Sequence, residues 1–206
     1  MDKLSPVVFS GAVEGIVDEA VLQRLIRYVG ARAGPIHGKQ GKQFLLQRMD
    51  GYNRAAHFTP WVVLVDLDQD AECAPPLRTV WLPSPAPRMG FRVAVREVEA
   101  WLLADPETLS AFLGEAASRI PRLPEAEPDP KRTMVDLAGR SRRREIREDM
   151  VPRPGSGRSE GPAYASRLIE FALGGRHACW RPDVAARSSQ SLRRCLACMR
   201  RLVEAR

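Results

Sequence analysis

Aromatic residues are scarce: Phe, Trp and Tyr together make up 6% of the 206 residues. The core must therefore rest on Val, Leu, Ile and Ala. Long apolar runs are also missing. A stretch such as Trp61–Val65 is far shorter than the roughly 20 apolar residues a membrane-spanning helix needs. The first ten residues lack the basic start and long apolar stretch of a secretory signal, which predicts a cytoplasmic protein with no membrane partner. Four Cys in a chain this long do not make a disulfide scaffold. Lysine is nearly absent: of 32 basic residues 4 are Lys, leaving 28 Arg. The remaining balance, 44% hydrophobic and 28% charged, is that of a globular chain and excludes wholesale disorder.

The formal net charge is +7. Arginine-rich composition can reflect a GC-rich genome. It also suits phosphate, which guanidinium pairs bidentately. The charge is uneven. Arg140, Arg142, Arg143, Arg144 and Arg147 form a late basic cluster, whereas the acids that look organised lie earlier. The cluster reads either as a solvated helix face or as a nucleic-acid clamp. Acidic sites inside a basic protein are what a metal-dependent nucleic-acid enzyme needs.

Periodicity sets out the elements. Val7–Phe9 reads as a short strand ended by Ser10-Gly11, and Val17–Val29 as a helix stopped at Gly30. Lys39–Arg54 is polar, with a short helix through Phe44–Arg48. Trp61–Val65 is the clearest strand, and its unbroken apolar run suits a parallel strand buried on both faces. Pro75–Pro87 reads mostly as loop, Phe91–Val95 as a strand and Glu97–Leu103 as a helix. Asp105-Pro106 caps and starts a further helix to Leu113. Helices are predicted over Lys131–Ala138, Pro162–Leu173 and Ser191–Glu204, with a loose basic, Pro- and Gly-rich stretch at Arg140–Gly161. The prediction is an α/β core over residues 1–115 with a mostly parallel sheet, and a helical extension over residues 116–206 packed on it as one compact domain.

Carboxylates recur where the predicted strands end. Glu14 and Asp18 follow the first, and their four-residue spacing puts them on one helix face. Asp66, Asp68 and Asp70 follow the second, and alternate residues of an extended segment point the same way. Glu97 and Glu99 follow the third. Ligands of open parallel sheets bind beyond the carboxyl ends of the strands. Carboxylates gathered there repel one another unless a hard cation such as Mg²⁺ neutralises them. Each group alone has a plainer reading, as a solvated turn or a favourable charge at a helix start.

Val13-Glu14-Gly15-x-x-Asp18 after a strand, followed by an apolar strand running into Asp66-x-Asp68, resembles the Toprim fold of topoisomerases, primases and overcoming-lysogenization-defect nucleases. Glu97-Val98-Glu99-Ala100-Trp101-Leu102-Leu103-Ala104-Asp105, with Asp129-Pro130-Lys131, more narrowly resembles the Toprim-like family known as domain of unknown function 4276. The similarity extends to Trp180 and Ser189–Leu192. It implies a Mg²⁺- or Mn²⁺-dependent phosphodiesterase or endonuclease in anti-phage defence, working on DNA rather than RNA beside a separately encoded ATPase. The alternative it implies is a catalytically inactive Toprim-derived regulatory module. The resemblance makes Glu14 a metal ligand or general acid/base, and Asp18, Asp66 and Asp68 metal ligands. Glu97 or Glu99, with Glu97 preferred as nearer the strand end, completes a second metal position. Lys131 and Arg96 stabilise charge on phosphate, and Arg142, Arg143, Arg144 and Arg147 contact nucleic acid.

Other signals are set aside. Cys195-x-x-Cys198 with His177 and Cys179 has zinc-ligand types, but Leu192, Cys195, Leu196, Met199 and Leu202 form one apolar helical stripe, so the two Cys read as core. His57 precedes its strand and falls at the wrong end for the acidic site. Gly38–Gly41 with Lys39 and Lys42 lacks the spacing of a phosphate loop. Tyr164 and Trp180 read as core rather than as base-stacking surfaces.

Overall fold

The computed structural model describes residues 6–68 and 73–205. Strands β1 (Val8–Val13), β2 (Arg32–Gly38), β3 (Trp61–Asp66) and β4 (Met89–Ala94) form one sheet in the order β2-β1-β3-β4, with every neighbouring pair parallel. Helices α1 (Ile16–Tyr28), α2 (Lys42–Ala55) and α3 (Ala74–Trp81) connect successive strands. After β4 come α4 (Val98–Leu103), α5 (Pro106–Leu113), α6 (Pro130–Gly139), α7 (Arg144–Met150), α8 (Tyr164–Leu173), α9 (Pro182–Ala185) and α10 (Gln190–Glu204). The protein is α/β with helices on both faces of the sheet, an arrangement consistent with a Toprim-like fold.

β3 explains the two-sided architecture. Val62 and Leu64 pack with Phe9, Val13 and the α1 residues Leu22, Leu25 and Ile26. Val63 and Val65 pack on the other face with Ala12 and the α2 residues Leu45 and Met49. Both faces are covered, so the strand carries no polar alternation. Gly11 sets how closely α1 approaches: a Cβ there would lie 2.8 Å from Leu22 Cδ2 and 3.1 Å from the Val62 carbonyl oxygen. Burying Leu22 in that contact contributes about 1.5–3 kcal/mol.

The helical second half shares the larger core. Met134, Ile146, Leu168, Trp180, Leu192 and Met199 join Phe9 and Trp101 in it, and α8 packs on α1 while α10 packs on β4. Trp180 and Tyr164 are buried, as read from the sequence, and the Trp180 indole donates to the Trp101 carbonyl at 3.0 Å. Cys195 and Cys198 are buried on α10, all four Cys are free, and burial pushes the Cys195 thiol up to about 12.

Several elements differ from expectation: α2 runs over Lys42–Ala55 rather than Phe44–Arg48, and α9 is an additional short helix. β1 runs on through Ser10-Gly11 to Val13. β2 is an additional strand; it lies at the sheet edge, is largely exposed and contains Gly34 and Pro35, so it has no apolar alternation to read. Pro75 and Pro76 open α3 rather than excluding a helix, because the first turn needs no intrahelical N–H donor. The basic stretch after Gly139 contains α7, anchored by buried Ile146 and Met150.

Asp105 links the two halves. It accepts from the Thr108 backbone N–H at 3.5 Å and hydroxyl at 2.5 Å, and from Arg181 Nη2 at 2.7 Å, Nε at 3.1 Å and backbone N–H at 3.0 Å. Burial alone would raise its pKa, but the donors of Arg181 and Thr108 outweigh burial and hold the carboxyl below its usual range. A depressed folded pKa gives stability that is complete above about pH 3.9 and is lost as pH falls through the folded value. Asp105→Ala is expected to lower unfolding stability in urea at pH 7 by about 2–4 kcal/mol. The deficit should shrink in acid; one that persists unchanged at pH 2 would contradict the ion pair's role.

Candidate metal centre

The strand order places the site. The chain passes from β1 through α1 to β2 on one side, then returns through α2 on the opposite face to β3 on the other side of β1. A crevice opens at such a reversal, beyond the carboxyl ends of the two diverging strands. Val13 is in register with Leu64, and Asp66 with Ala94. Glu14, Asp66 and Glu97 therefore leave β1, β3 and β4 at nearly one level.

A donor orients one oxygen of each carboxylate. Glu14 Oε1 accepts from the Asp66 backbone N–H at 2.8 Å, and Asp66 Oδ1 accepts from the Val98 N–H at 3.0 Å. Each strand end is thus tied to the next. Asp18 Oδ2 accepts from the Gly15 N–H at 2.9 Å at the start of α1. Glu97 Oε2 accepts from the Lys131 N–H at 3.0 Å at the start of α6, and Glu99 Oε1 accepts from the Tyr164 hydroxyl at 3.2 Å. Asp68 has φ 49°, a left-handed conformation that Asp tolerates better than most residues. Its Oδ2 accepts from Lys42 Nζ at 2.5 Å, and its backbone is held by Arg96, whose carbonyl accepts from the Asp68 N–H and whose Nη1 donates to the Asp68 carbonyl, both at 2.9 Å. Asp70 lies outside the described residues.

The electrostatics are those of crowded acids. Burial, then the charges of Asp18, Glu99, Glu14 and Asp68, push Asp66 well above the carboxylate range. Burial raises Glu14 to about 7 despite the Asp66 N–H and Lys42, and raises Glu99 to about 7, with Glu97 and Asp18 adding to it. Asp18 and Glu97 are raised, again chiefly by burial. Asp18 is 6% exposed, and its Oδ1 is buried with no hydrogen-bond partner among the described residues. Among the described residues no three His, Cys, Asp or Glu side chains stand in metal-binding geometry, and separate donors hold the carboxylates. The donor chemistry nevertheless fits a hard divalent cation: the groups are all oxygen, they repel one another when ionised, and one buried carboxylate oxygen lacks a partner among the described residues. Glu14, Asp18, Asp66, Asp68 and Glu97 are the residues that would hold it.

Glu97 and Glu99 both border the crevice. Glu97 is the extended residue before α4 and Glu99 lies two residues on, inside its first turn, and the charges of both act on the cluster. Glu99 is the more deeply buried and the nearer in effect to Asp66 and Asp18, although the spacing favoured Glu97. Lys131 lies at the crevice, where its amine pairs with Glu160 and sits 5.5 Å above the Tyr164 ring. The basic cluster lies at the far end of α6, about 15 Å along its axis. Within it, Arg143 Nη1 donates to the Phe112 carbonyl at 2.7 Å and Arg147 Nη1 to the Ser141 carbonyl, so both hold backbone rather than face solvent. Arg144 pairs with Glu148 on the surface, and Arg142 is exposed.

Lys42, Tyr164 and Glu160 are the site residues the sequence did not single out for this role. Lys42 sat in a stretch that resembled a failed phosphate loop, and Tyr164 and Glu160 come from a distant part of the chain with no spacing relation to the acids.

The raised carboxylates make a signed prediction. Groups with raised folded pKa values stabilise the fold below their unfolded values, about 3.9–4.3, and that contribution is lost as pH rises toward 7. Metal-free Asp18→Asn is expected to melt higher than wild type at pH 8, with the gain shrinking toward pH 4. Mg²⁺ or Mn²⁺ is expected to raise the melting temperature of wild type and to raise that of the variant less. A variant that melts lower than wild type at pH 8 would make Asp18 a structural residue.

Comparison of the chain with protein-family models, curated proteins and solved structures finds no match.

Proposed function

We propose that this protein is a divalent-cation-dependent phosphodiesterase acting on nucleic acid. The observation that carries this reading is the gathering of Glu14, Asp18, Asp66, Asp68, Glu97 and Glu99 at the carboxyl ends of three adjacent parallel strands, with Asp18 Oδ1 buried and, among the described residues, unpartnered. A cation bound there would supply an activated water and stabilise the charge of the leaving oxygen. Glu14, with its pKa near 7, holds or releases a proton at neutral pH, as a general acid/base must. Lys42 fixes Asp68, and the Lys131 backbone N–H fixes Glu97. Arg142 and Arg144, exposed like Arg140, are better candidates for phosphate contact than Arg143 and Arg147. The resemblance noted above extends the reading to a Toprim-like enzyme of anti-phage defence, with DNA preferred to RNA, a cytoplasmic location and a separately encoded ATPase as partner.

A second reading has its own observation. Every carboxylate has a protein donor and no three stand in metal-binding geometry among the described residues, which suits a Toprim-derived module that regulates a partner without turnover.

Cleavage of plasmid DNA and of RNA, with Mg²⁺ or Mn²⁺ and with EDTA, separates the two. The enzyme is expected to cut only with metal. Asp66→Asn, which keeps an acceptor for the Val98 N–H, is expected to reduce the rate by about 10³-fold, equivalent to about 4 kcal/mol of lost charge stabilisation. Wild type inert on every nucleic acid at saturating Mn²⁺ would favour the regulatory module. Arg142→Gln with Arg144→Gln is expected to flatten the salt dependence of duplex binding by up to about 0.9 per contact in log–log slope, measured by titration at several salt concentrations. Arg143→Gln and Arg147→Gln are expected to lower stability instead.

A further inference from the structure

Beside the sheet's free edge lies a second feature of opposite charge. β4 is the edge strand opposite β2, and a cavity of about 520 Å³ runs along it between α3 and the start of α10. That volume is within the 300–1,000 Å³ range of small-molecule sites. Arg78, Arg92, Arg187, Arg193 and Arg194 line it. Among the described residues none of the five guanidiniums is paired with a carboxylate, and Arg92 Nε is buried with no hydrogen-bond partner.

One carboxylate, Glu125, shares the wall but does not neutralise them. Its Oε1 accepts from the Ser189 hydroxyl at 2.6 Å, the Ser191 hydroxyl at 2.6 Å and the Ser191 N–H at 2.8 Å, and its Oε2 from the Gln190 N–H at 3.1 Å. Glu125 is thus held at the start of α10. Beside the polar Ser188 and Gln190, the wall has an apolar part: Val93 and Val95 of the strand, Pro75, and Leu123, which is 70% exposed. Unpaired guanidiniums call for a phosphate, which they bind bidentately, and guanidinium planes and apolar walls accept a flat ring. We propose that this groove binds a nucleotide, the phosphate on Arg78, Arg92 and Arg194 and the base against Val95 and Leu123. The crowding of like charge agrees: burial, then Arg92 and Arg194, lower the pKa of Arg78, with Cys198 opposing. The proposal does not rest on the metal reading, because none of these residues belongs to the carboxylate crevice.

Titration calorimetry in EDTA at low salt tests it. The probes are adenosine 5′-monophosphate, adenosine, inorganic phosphate, and one oligonucleotide with either a 5′-phosphate or a 5′-hydroxyl. The mononucleotide is expected to bind at least about tenfold more tightly than adenosine or inorganic phosphate alone. Arg92→Gln and Arg78→Gln are each expected to weaken it by about tenfold or more, and Arg78, exposed on α3, can be changed without disturbing the core. Asp18→Asn with Asp66→Asn should leave the affinity unchanged. Displacement of the mononucleotide by the phosphorylated oligomer, and not by its hydroxyl form, would identify a strand end as the source of the phosphate and would support the site. Equal affinity for adenosine and its monophosphate, insensitivity to both arginine variants, loss of binding in the aspartate variant, or silence of both the mononucleotide and the phosphorylated oligomer would each overturn it.

Discussion

Carboxylates crowded at one end of a sheet repel one another, and the ends of β1, β3 and β4 bring six of them together, each of them buried or half-buried. A fold can carry such a cluster only if other interactions fix it. Here the fixing is local and sequential. The Asp66 N–H holds Glu14, the Val98 N–H holds Asp66, and the Lys131 N–H holds Glu97, so each acid takes its orientation from the backbone of the next element. The repulsion that remains appears as carboxyls displaced toward neutral pKa and as one buried oxygen without a partner among the described residues. Those are the properties expected of a site that completes its charge balance with something from solution.

Much of this was legible in the chain. The unbroken run Trp61–Val65 announced a doubly covered parallel strand, and acids after three strands announced where they would converge. The string from Glu97 to Asp105 also resolves physically. Its two glutamates border the crevice, its apolar residues fill the larger core, and its aspartate caps α5 and anchors Arg181. What stayed hidden had no local signature. β2 is an exposed edge strand carrying a proline, and α3 begins with two prolines that suggest a loop. Arg143 and Arg147 look like nucleic-acid contacts in sequence, but their carbonyl partners Phe112 and Ser141 are visible only in three dimensions. Lys42 and Tyr164 reach the crevice from elements whose pairing no spacing rule describes.

Charge separation is the other lesson. A net positive chain places its acids at the strand ends and, among the described residues, leaves guanidiniums without carboxylate partners beside β4, with Val95 of one feature only two residues from Glu97 of the other. Glu125 shows how the two are kept apart: a carboxylate on the basic wall is held by the serines and backbone at the start of α10. The edge strand thereby has an acidic end and a basic flank, a division that composition alone, read as a single net charge, does not show.

The most direct test of a cation-holding crevice is anomalous diffraction from crystals grown with Mn²⁺. A crevice that completes its charge with a cation predicts an anomalous peak among Glu14, Asp18 and Asp66, with their side chains turned toward it. Full-strength Mn²⁺ peaks elsewhere, with the crevice empty and Glu14 and Asp66 still holding their backbone donors, would contradict it.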